Sequence, residues 1–289
     1  MATNDPSSRV FTVAAAQFTP KKGDLEGNLD RIAEMTNQAV GEGADVVVFA
    51  ESIVSGYILE GGVLECSLTA LELLGKLSGR IRHTVDVVVG FYERADGNLY
   101  NSAAYLELGS APRIVHVYRK FFLPTYGVFD EERFVSRGHD LGVFDTRFGR
   151  MAILICEDIW HSILPALCAV AGAQTILVPS ASPARGFNGE VIGNLDRYNR
   201  MVRAVCDEHG VYCINSQLCG FEGGKGFVGG SSVTDPFGRV VAEAPIAVDH
   251  LVIAPIDLEL IEIARAQLPL TSDLQSAWAD VRRIVAELE

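Results

Sequence analysis

Three segments of the 289-residue chain carry an apolar run up to one reactive side chain: VVVFAES brings Glu51, VHVYRK brings Lys120 and AILIC brings Cys156. A thiol is mostly protonated near pH 7, so a nucleophilic cysteine needs a base within hydrogen-bond reach or a cation that favours the thiolate. A carboxylate at position 51 can take the proton. An ammonium at position 120 can neutralise the oxygen that turns negative when sulfur adds to a carbonyl carbon, helped by the backbone N–H that follows the cysteine. Together the three side chains would make a nucleophilic site for acyl transfer, provided the fold brings them into one cavity. Singly they carry plainer readings: a small buried core residue for Cys156, a loop cap for Glu51 and a surface position for Lys120.

The elements that must position them alternate between strand-like and helix-like from end to end, the pattern of an α/β layered domain. Strands are expected at 10–18, 44–52, 175–180 and 211–217, and helices at 28–40, 64–80, 160–171 and 194–209. Between them, VDVVVGFYE, LYNSAAYLEL and RIVHVYRK read as a meander whose turns carry turn-forming residues. GVFDTRFGRMAILICED reads as a hairpin leading into a strand that ends at Cys156. Further strands are expected near 227–234, 239–243 and 248–255, before a helical stretch from Asp257. Continuous apolar runs such as ADVVVFAES suit strands buried on both faces. Open α/β sheets place ligands beyond the carboxyl ends of their strands, where all three reactive side chains fall. No linker or repeat interrupts the pattern, so one domain over residues 1–289 is expected, with 257–289 as a C-terminal helical extension. In that tail Leu274, Trp278, Val281, Ile284, Val285 and Leu288 share a helical face that would pack on its own domain or on a second subunit.

Composition narrows the class. With 48% hydrophobic and 21% charged residues the chain has ordinary soluble composition, and a net charge of -13 without a Lys/Arg cluster argues against nucleic acid. The start MATNDPSSRV lacks the features of a signal peptide and no apolar run approaches bilayer length, so a cytoplasmic protein without a membrane partner is expected. Six cysteines without a CxxC pair or a Cys/His ladder suggest neither zinc nor a disulfide framework. The proposed chemistry needs no metal or cofactor. His116 and His161 read as structural hydrogen-bonding residues, and Cys66, Cys168 and Cys206 as packed small apolar ones. A redox role would require Cys213 or Cys219 to approach Cys156 in space.

The order Glu, Lys, Cys, with the words AAAQFTPKKGDLEGNLDRI, YRKFFLPTYGVFDEERF and ILICEDIW around it, resembles the carbon–nitrogen hydrolase (nitrilase-like) superfamily. Within it the words are most similar to the glutaminase domains of glutamine-dependent NAD synthetases. The similarity runs from about Val10 to GGSSVTDPFGRVVAEAP. It implies a four-layer αββα sandwich, with members pairing into homodimers or larger assemblies. It also implies that Cys156 is the nucleophile, Glu51 the general base, Lys120 the oxyanion residue and Glu131 a second glutamate orienting substrate or water. Tyr126, Glu157, Trp160 and Ser182 would line the substrate pocket.

The implied activity is hydrolysis of a small linear amide to a carboxylic acid and ammonia through a thioester on Cys156. Alternatives are a glutaminase-type ammonia donor for a separate synthetase, an N-carbamoyl amidohydrolase, a nitrilase, or an inactive binding protein of the same fold. Glu157-Asp158 after the nucleophile favours amides over nitriles, whose enzymes more often carry Trp-Glu there. Two departures stand out. Arg137 replaces proline in the family's Phe-x-Pro-Gly, and after VPSASP the early Arg185 and the glycine-rich GFNGEVIGN argue against glutamine as the substrate. The sequence also holds no SGGxDS-type loop of an ATP-binding synthetase domain, so the chain is expected to act alone or to feed a separate partner.

Overall fold

The computed structural model describes residues 9–288. The opening MATNDPSS, on which the expectation about a signal peptide partly rested, lies outside the described residues. The strands are β1 (Val10–Gln17), β2 (Val46–Phe49), β3 (Val85–Ala95), β4 (Asn98–Leu108), β5 (Arg113–Arg119), β6 (Val143–Thr146), β7 (Gly149–Ile153) and β8 (Thr175–Ser180), followed by the two-residue β9 (Phe187–Asn188) and β10 (Val191–Ile192). Then come β11 (Tyr212–Gln217), β12 (Cys219–Glu222), β13 (Lys225–Val228), β14 (Ser232–Thr234), β15 (Val240–Glu243) and β16 (His250–Asp257). The helices are α1 (Leu25–Gly41), α2 (Ala70–Ser78), α3 (Ile163–Val170), α4 (Gly193–His209), α5 (Glu259–Gln267), α6 (Leu270–Ser276) and α7 (Trp278–Ala286).

Two six-stranded sheets form, in the orders β16-β1-β2-β3-β4-β5 and β15-β14-β11-β8-β7-β6. Each has three parallel strands at its centre, β1-β2-β3 and β7-β8-β11, flanked by antiparallel neighbours. The sheets pack face to face through β1, β2 and β3 against β8 and β11. Side chains alternate across each strand, and the two faces of the first sheet separate accordingly. Val13, Ala15, Val46, Val48 and Val88 meet Ile153, Leu177 and Ile214 between the sheets. Ala14, Ala16, Val47, Phe49 and Val87 pack under Leu29 and Ile32 of α1 and Leu73 and Leu77 of α2. Leu164 and Cys168 of α3 and Tyr198, Val202 and Val205 of α4 cover the outer face of the second sheet. This is the expected αββα sandwich, and burial on both faces explains the continuous apolar runs. Each such Val, Leu or Ile contributes roughly 1.5–3 kcal/mol by leaving water.

Local departures have local causes. The helix expected from residue 64 starts at Ala70, because a Thr69/Glu72 capping box fixes its first turn. Leu68 is held in extended pairing by bonds with Tyr92 and Arg94. The strand expected to reach Cys156 stops at Ile153, and a 3₁₀ turn over Cys156–Trp160 delays the next helix to Ile163. In the tail α7 buries no side chain, leaving Ile284 at 50%, Val285 at 55% and Leu288 at 80% exposure. Among the described residues no helix is long and apolar enough to cross a membrane, and no group of three or more His, Cys, Asp or Glu is placed to hold a metal ion.

Candidate active site

Glu51 follows β2 and ends buried at the carboxyl edge of the first sheet. β3 passes beneath it so closely that a Cβ on Gly90 would lie 2.4 Å from the Ala50 carbonyl and 2.6 Å from the Ser52 nitrogen. Only glycine allows that approach. Lys120 follows β5; its N–H donates to the Asn101 carbonyl (2.9 Å) and its carbonyl accepts from the Gly138 N–H (2.7 Å). A Cβ on Gly138 would collide with the Arg119 carbonyl at 2.1 Å, so this glycine keeps its place although Arg137 replaces the family's proline. Arg137 lies over the Phe121 ring, 5.1 Å from its centroid.

Three charged side chains converge in the buried interior. Lys120 Nζ donates to Glu51 Oε1 at 2.7 Å and to Glu131 Oε1 at 2.6 Å. An ammonium has three N–H donors, so one remains for an incoming oxygen. Asn101 Nδ2 donates to Glu51 Oε1 at 2.8 Å, whereas Glu51 Oε2 is buried without a hydrogen-bond partner among the described residues. That oxygen is the one able to receive a proton. The Tyr57 hydroxyl donates to Glu131 Oε1, and burial followed by the charge of Glu131 pushes the Tyr57 pKa well up, so it stays a donor.

Burial acts to lower the Lys120 pKa, but Glu131, Glu51 and Cys156 outweigh it and hold the ammonium well above its usual value. Glu131 is raised by burial against the pull of Lys120. Two carboxyl groups share the one ammonium at the centre of the site.

Cys156 lies within the field of all three. Burial first, then the charge of Glu51, drives its thiol well above the ordinary value, while Lys120 and the Ala181 backbone N–H work in the other direction. The resting sulfur is therefore protonated and needs a base. Its backbone sits in the left-handed region at φ 47°, a strained conformation for a residue with a Cβ. The strain reverses the chain and starts a 3₁₀ turn, so the Glu157 N–H stands at the first position of a helical turn, where amides lack a partner inside the turn.

Two cavities flank this core. One, of about 480 Å³, reaches Glu131 and is walled by Tyr57, Tyr92, Val63, Phe129 and Phe134. The other, of about 570 Å³, is lined by Tyr126, Glu157, Trp160, His161, Arg185, Asn194 and Arg197. Tyr57, Phe129 and Tyr126 contact ring edge to ring face in succession, at 6.0 and 5.7 Å. The Tyr126 hydroxyl donates to Glu157 at 2.9 Å. Arg185 lies 5.3 Å from the Tyr126 ring centre and Arg197 lies 5.2 Å from that of Trp160.

Of the residues expected to line a substrate pocket, Tyr126, Glu157 and Trp160 share the second cavity, and Ser182 does not. Ser182 is buried and lines neither cavity; its N–H donates to Gln217 Oε1 at 3.3 Å and its carbonyl accepts from Val228. The chain alternates beyond β8, so it is Ala181 whose amide faces the sulfur. Arg185 is not displaced by its early position. The glycine-rich stretch folds into the β9–β10 hairpin, and Arg185 Nε donates to Asn194 Oδ1 at 3.1 Å, which carries the guanidinium into the cavity.

His116 stacks on Phe144 at 4.6 Å with Nε2 buried and unpartnered among the described residues, so it packs as a ring and does not hydrogen bond through that atom. Cys219 contacts Thr19, just beyond β1, and Val248, just before β16. Sequence reading also missed Asn101 and Tyr57. The words LYNSAAY and GY contain them, but nothing in either marks a polar residue turned inward.

A buried carboxylate with one open oxygen, an ammonium with one spare donor, and a cysteine on a strained turn between paired sheets are the groups that thiol-dependent acyl transfer requires, here carried on an αββα sandwich. The sequence profile of the carbon-nitrogen hydrolase family matches residues 12–266, and the chain belongs to that family. Among its relatives is the glutamine-dependent NAD+ synthetase of Acinetobacter baylyi, 30% identical over 252 residues that make up 86% of this chain and 44% of the relative. The structure of the corresponding synthetase from Acinetobacter baumannii superposes with a TM-score of 0.78 at 28% identity, over 87% of this chain and 46% of that one. A carbon-nitrogen hydrolase from Helicobacter pylori shares the fold at a TM-score of 0.83 and 24% identity, over 91% of this chain and 95% of its own. The chain thus spans less than half the length of these two synthetases.

Proposed function

We propose that the protein hydrolyses the side-chain amide of glutamine, or of a closely similar α-amino-acid amide, releasing ammonia through a thioester on Cys156. The observation that carries this reading is the charge pattern of the cavity beside the nucleophile. Glu157 offers a carboxylate to an α-ammonium, and Arg185 and Arg197 offer guanidinium groups to an α-carboxylate. A short aliphatic amide would use neither. Similarity to glutamine-dependent synthetases supports the same choice.

In the proposed mechanism Glu51 Oε2 takes the thiol proton as Cys156 sulfur attacks the amide carbon. The oxyanion settles on the spare Lys120 N–H and the Glu157 amide. Glu51 returns the proton to the nitrogen, the C–N bond breaks and ammonia leaves. Water, deprotonated by Glu51, then attacks the thioester, freeing the acid and restoring the thiol. Glu131 and Tyr57 hold Lys120 in place throughout.

A substrate panel tests the reading. Ammonia release is expected to be faster from L-glutamine than from propionamide or an N-carbamoyl amino acid. Arg185→Ala should raise KM for glutamine by about 10- to 100-fold, the worth of a charge-assisted hydrogen bond, while propionamide hydrolysis changes less than about threefold. Equal losses on both substrates would refute amino-acid recognition.

A further inference from the structure

The chemistry above leaves Asp158 unused, although it stands two residues after the nucleophile and is fully buried. It lines neither cavity flanking the catalytic core, and its carboxylate is saturated with donors instead. Oδ1 accepts from the backbone N–H groups of Phe121 at 3.2 Å and Phe122 at 2.8 Å. Oδ2 accepts from the Tyr118 hydroxyl at 2.9 Å and the Ile155 N–H at 3.0 Å.

These partners fall on both sides of the site. Tyr118, Phe121 and Phe122 bracket Lys120 at the end of β5 in the first sheet. Ile155 directly precedes Cys156 at the end of the β7 segment in the second. The bonds of Lys120 to Asn101 and Gly138 hold it to its own sheet and to the 131–138 loop. The bonds of Asp158 run across to the strand that carries the sulfur.

We propose that Asp158 is a positioning residue that sets the distance between the Cys156 sulfur and the Lys120 ammonium by clasping the two sheets together at their carboxyl ends. This rests on the reading of Cys156 as nucleophile and Lys120 as oxyanion residue. The clasp requires an acceptor on both oxygens. An asparagine keeps the size but turns an NH2 toward one pair of donors, so donor faces donor and that side of the clasp opens. Reacting groups displaced by about 1 Å lose on the order of a hundredfold in rate, even when the change lies away from the chemistry.

The experiment compares Asp158→Asn and Tyr118→Phe with the wild-type enzyme by glutamine kinetics, thermal melting and the pH profile of Cys156 alkylation by iodoacetamide. Asp158→Asn is expected to lower kcat by about 30- to 100-fold with KM within about threefold, and to move the alkylation midpoint to higher pH as Lys120 recedes from the sulfur. Tyr118→Phe removes one bond of four and should lower kcat by about three- to tenfold, with a smaller displacement of the midpoint in the same direction. Wild-type kcat and an unmoved midpoint in both variants, whatever their melting temperatures, would overturn the proposal and leave Asp158 a purely structural residue. Cys156→Ala serves as the control. If it retains turnover, the assignment of the nucleophile fails; if it is dead while Asp158→Asn is unimpaired, only the positioning role fails.

Discussion

In the proposed mechanism Cys156 is made a poor nucleophile by its surroundings and rescued by them in the same step. Burial and the neighbouring carboxylate keep its proton on, which protects the thiol at rest and makes proton transfer to Glu51 part of the reaction. In that mechanism Lys120 carries two tasks, holding Glu51 and Glu131 by hydrogen bonds at rest and stabilising the oxyanion during turnover. Lys120→Met should therefore lower kcat by about a hundred- to a thousandfold with little change in KM, as loss of an oxyanion donor does. It should also destabilise the fold by about 3–5 kcal/mol, because two buried carboxylates lose their cation. Adding Glu131→Gln should restore part of the stability and none of the activity. Steady-state kinetics and urea unfolding separate the two effects, and a single variant with normal kcat would contradict the role. The convergence of Glu51 and Lys120 was foreshadowed by their places at strand ends, whereas Glu131, in a 3₁₀ turn, was singled out only by the family resemblance. Ser182 falls outside both cavities because alternation beyond β8 turns the Ala181 amide, not Ser182, toward the sulfur.

Strands and helices place these residues through packing that the sequence pattern largely reveals. The parallel runs and the β3–β4–β5 meander are as the alternation of apolar segments suggests. The starts of α2 and α3 are not, since a capping box and a 3₁₀ turn override helical periodicity there. A second tie between the sheets sits away from the site: Asp86 of β3 accepts from the Tyr105 hydroxyl and from Arg147 in the β6–β7 turn, each at 2.8 Å. Burial lifts the Asp86 pKa from 3.8 to about 6 against the pull of Arg147. Between these values the folded state holds a proton that the unfolded chain has lost, so this group's contribution to stability falls as pH rises from about 4 to 6. Relative to Asp86→Asn, the wild type should lose on the order of 2–3 kcal/mol of unfolding free energy across that window. Urea titrations of both proteins at pH 4, 5 and 6 measure this, and a wild type that holds level with or gains on Asp86→Asn as pH rises would contradict it.

At the scale of the whole molecule, two apolar layers, one between the sheets and one beneath α1 and α2, fix the carboxyl edges where the charged groups meet. The layered α/β pattern was legible because strands buried on both faces leave long apolar runs, whereas the pairing of two sheets was implied only by the family resemblance. Of the cavity lined by Tyr126, Glu157 and Trp160, those three were expected, but its positive charge was not, because Arg185 and Arg197 come to it from either side of a hairpin in a stretch whose glycines suggested only a loop. The helical spacing of the tail was read correctly, while its burial was not determined by spacing alone: α7 leaves its apolar side chains largely open. All of this chemistry depends on one sulfur. The most direct measurement is ammonia release from L-glutamine by the Cys156→Ala variant, taken with its melting curve. The account predicts release at the enzyme-free rate from a protein that melts within a few degrees of the wild type; turnover within about tenfold of the wild type would contradict it.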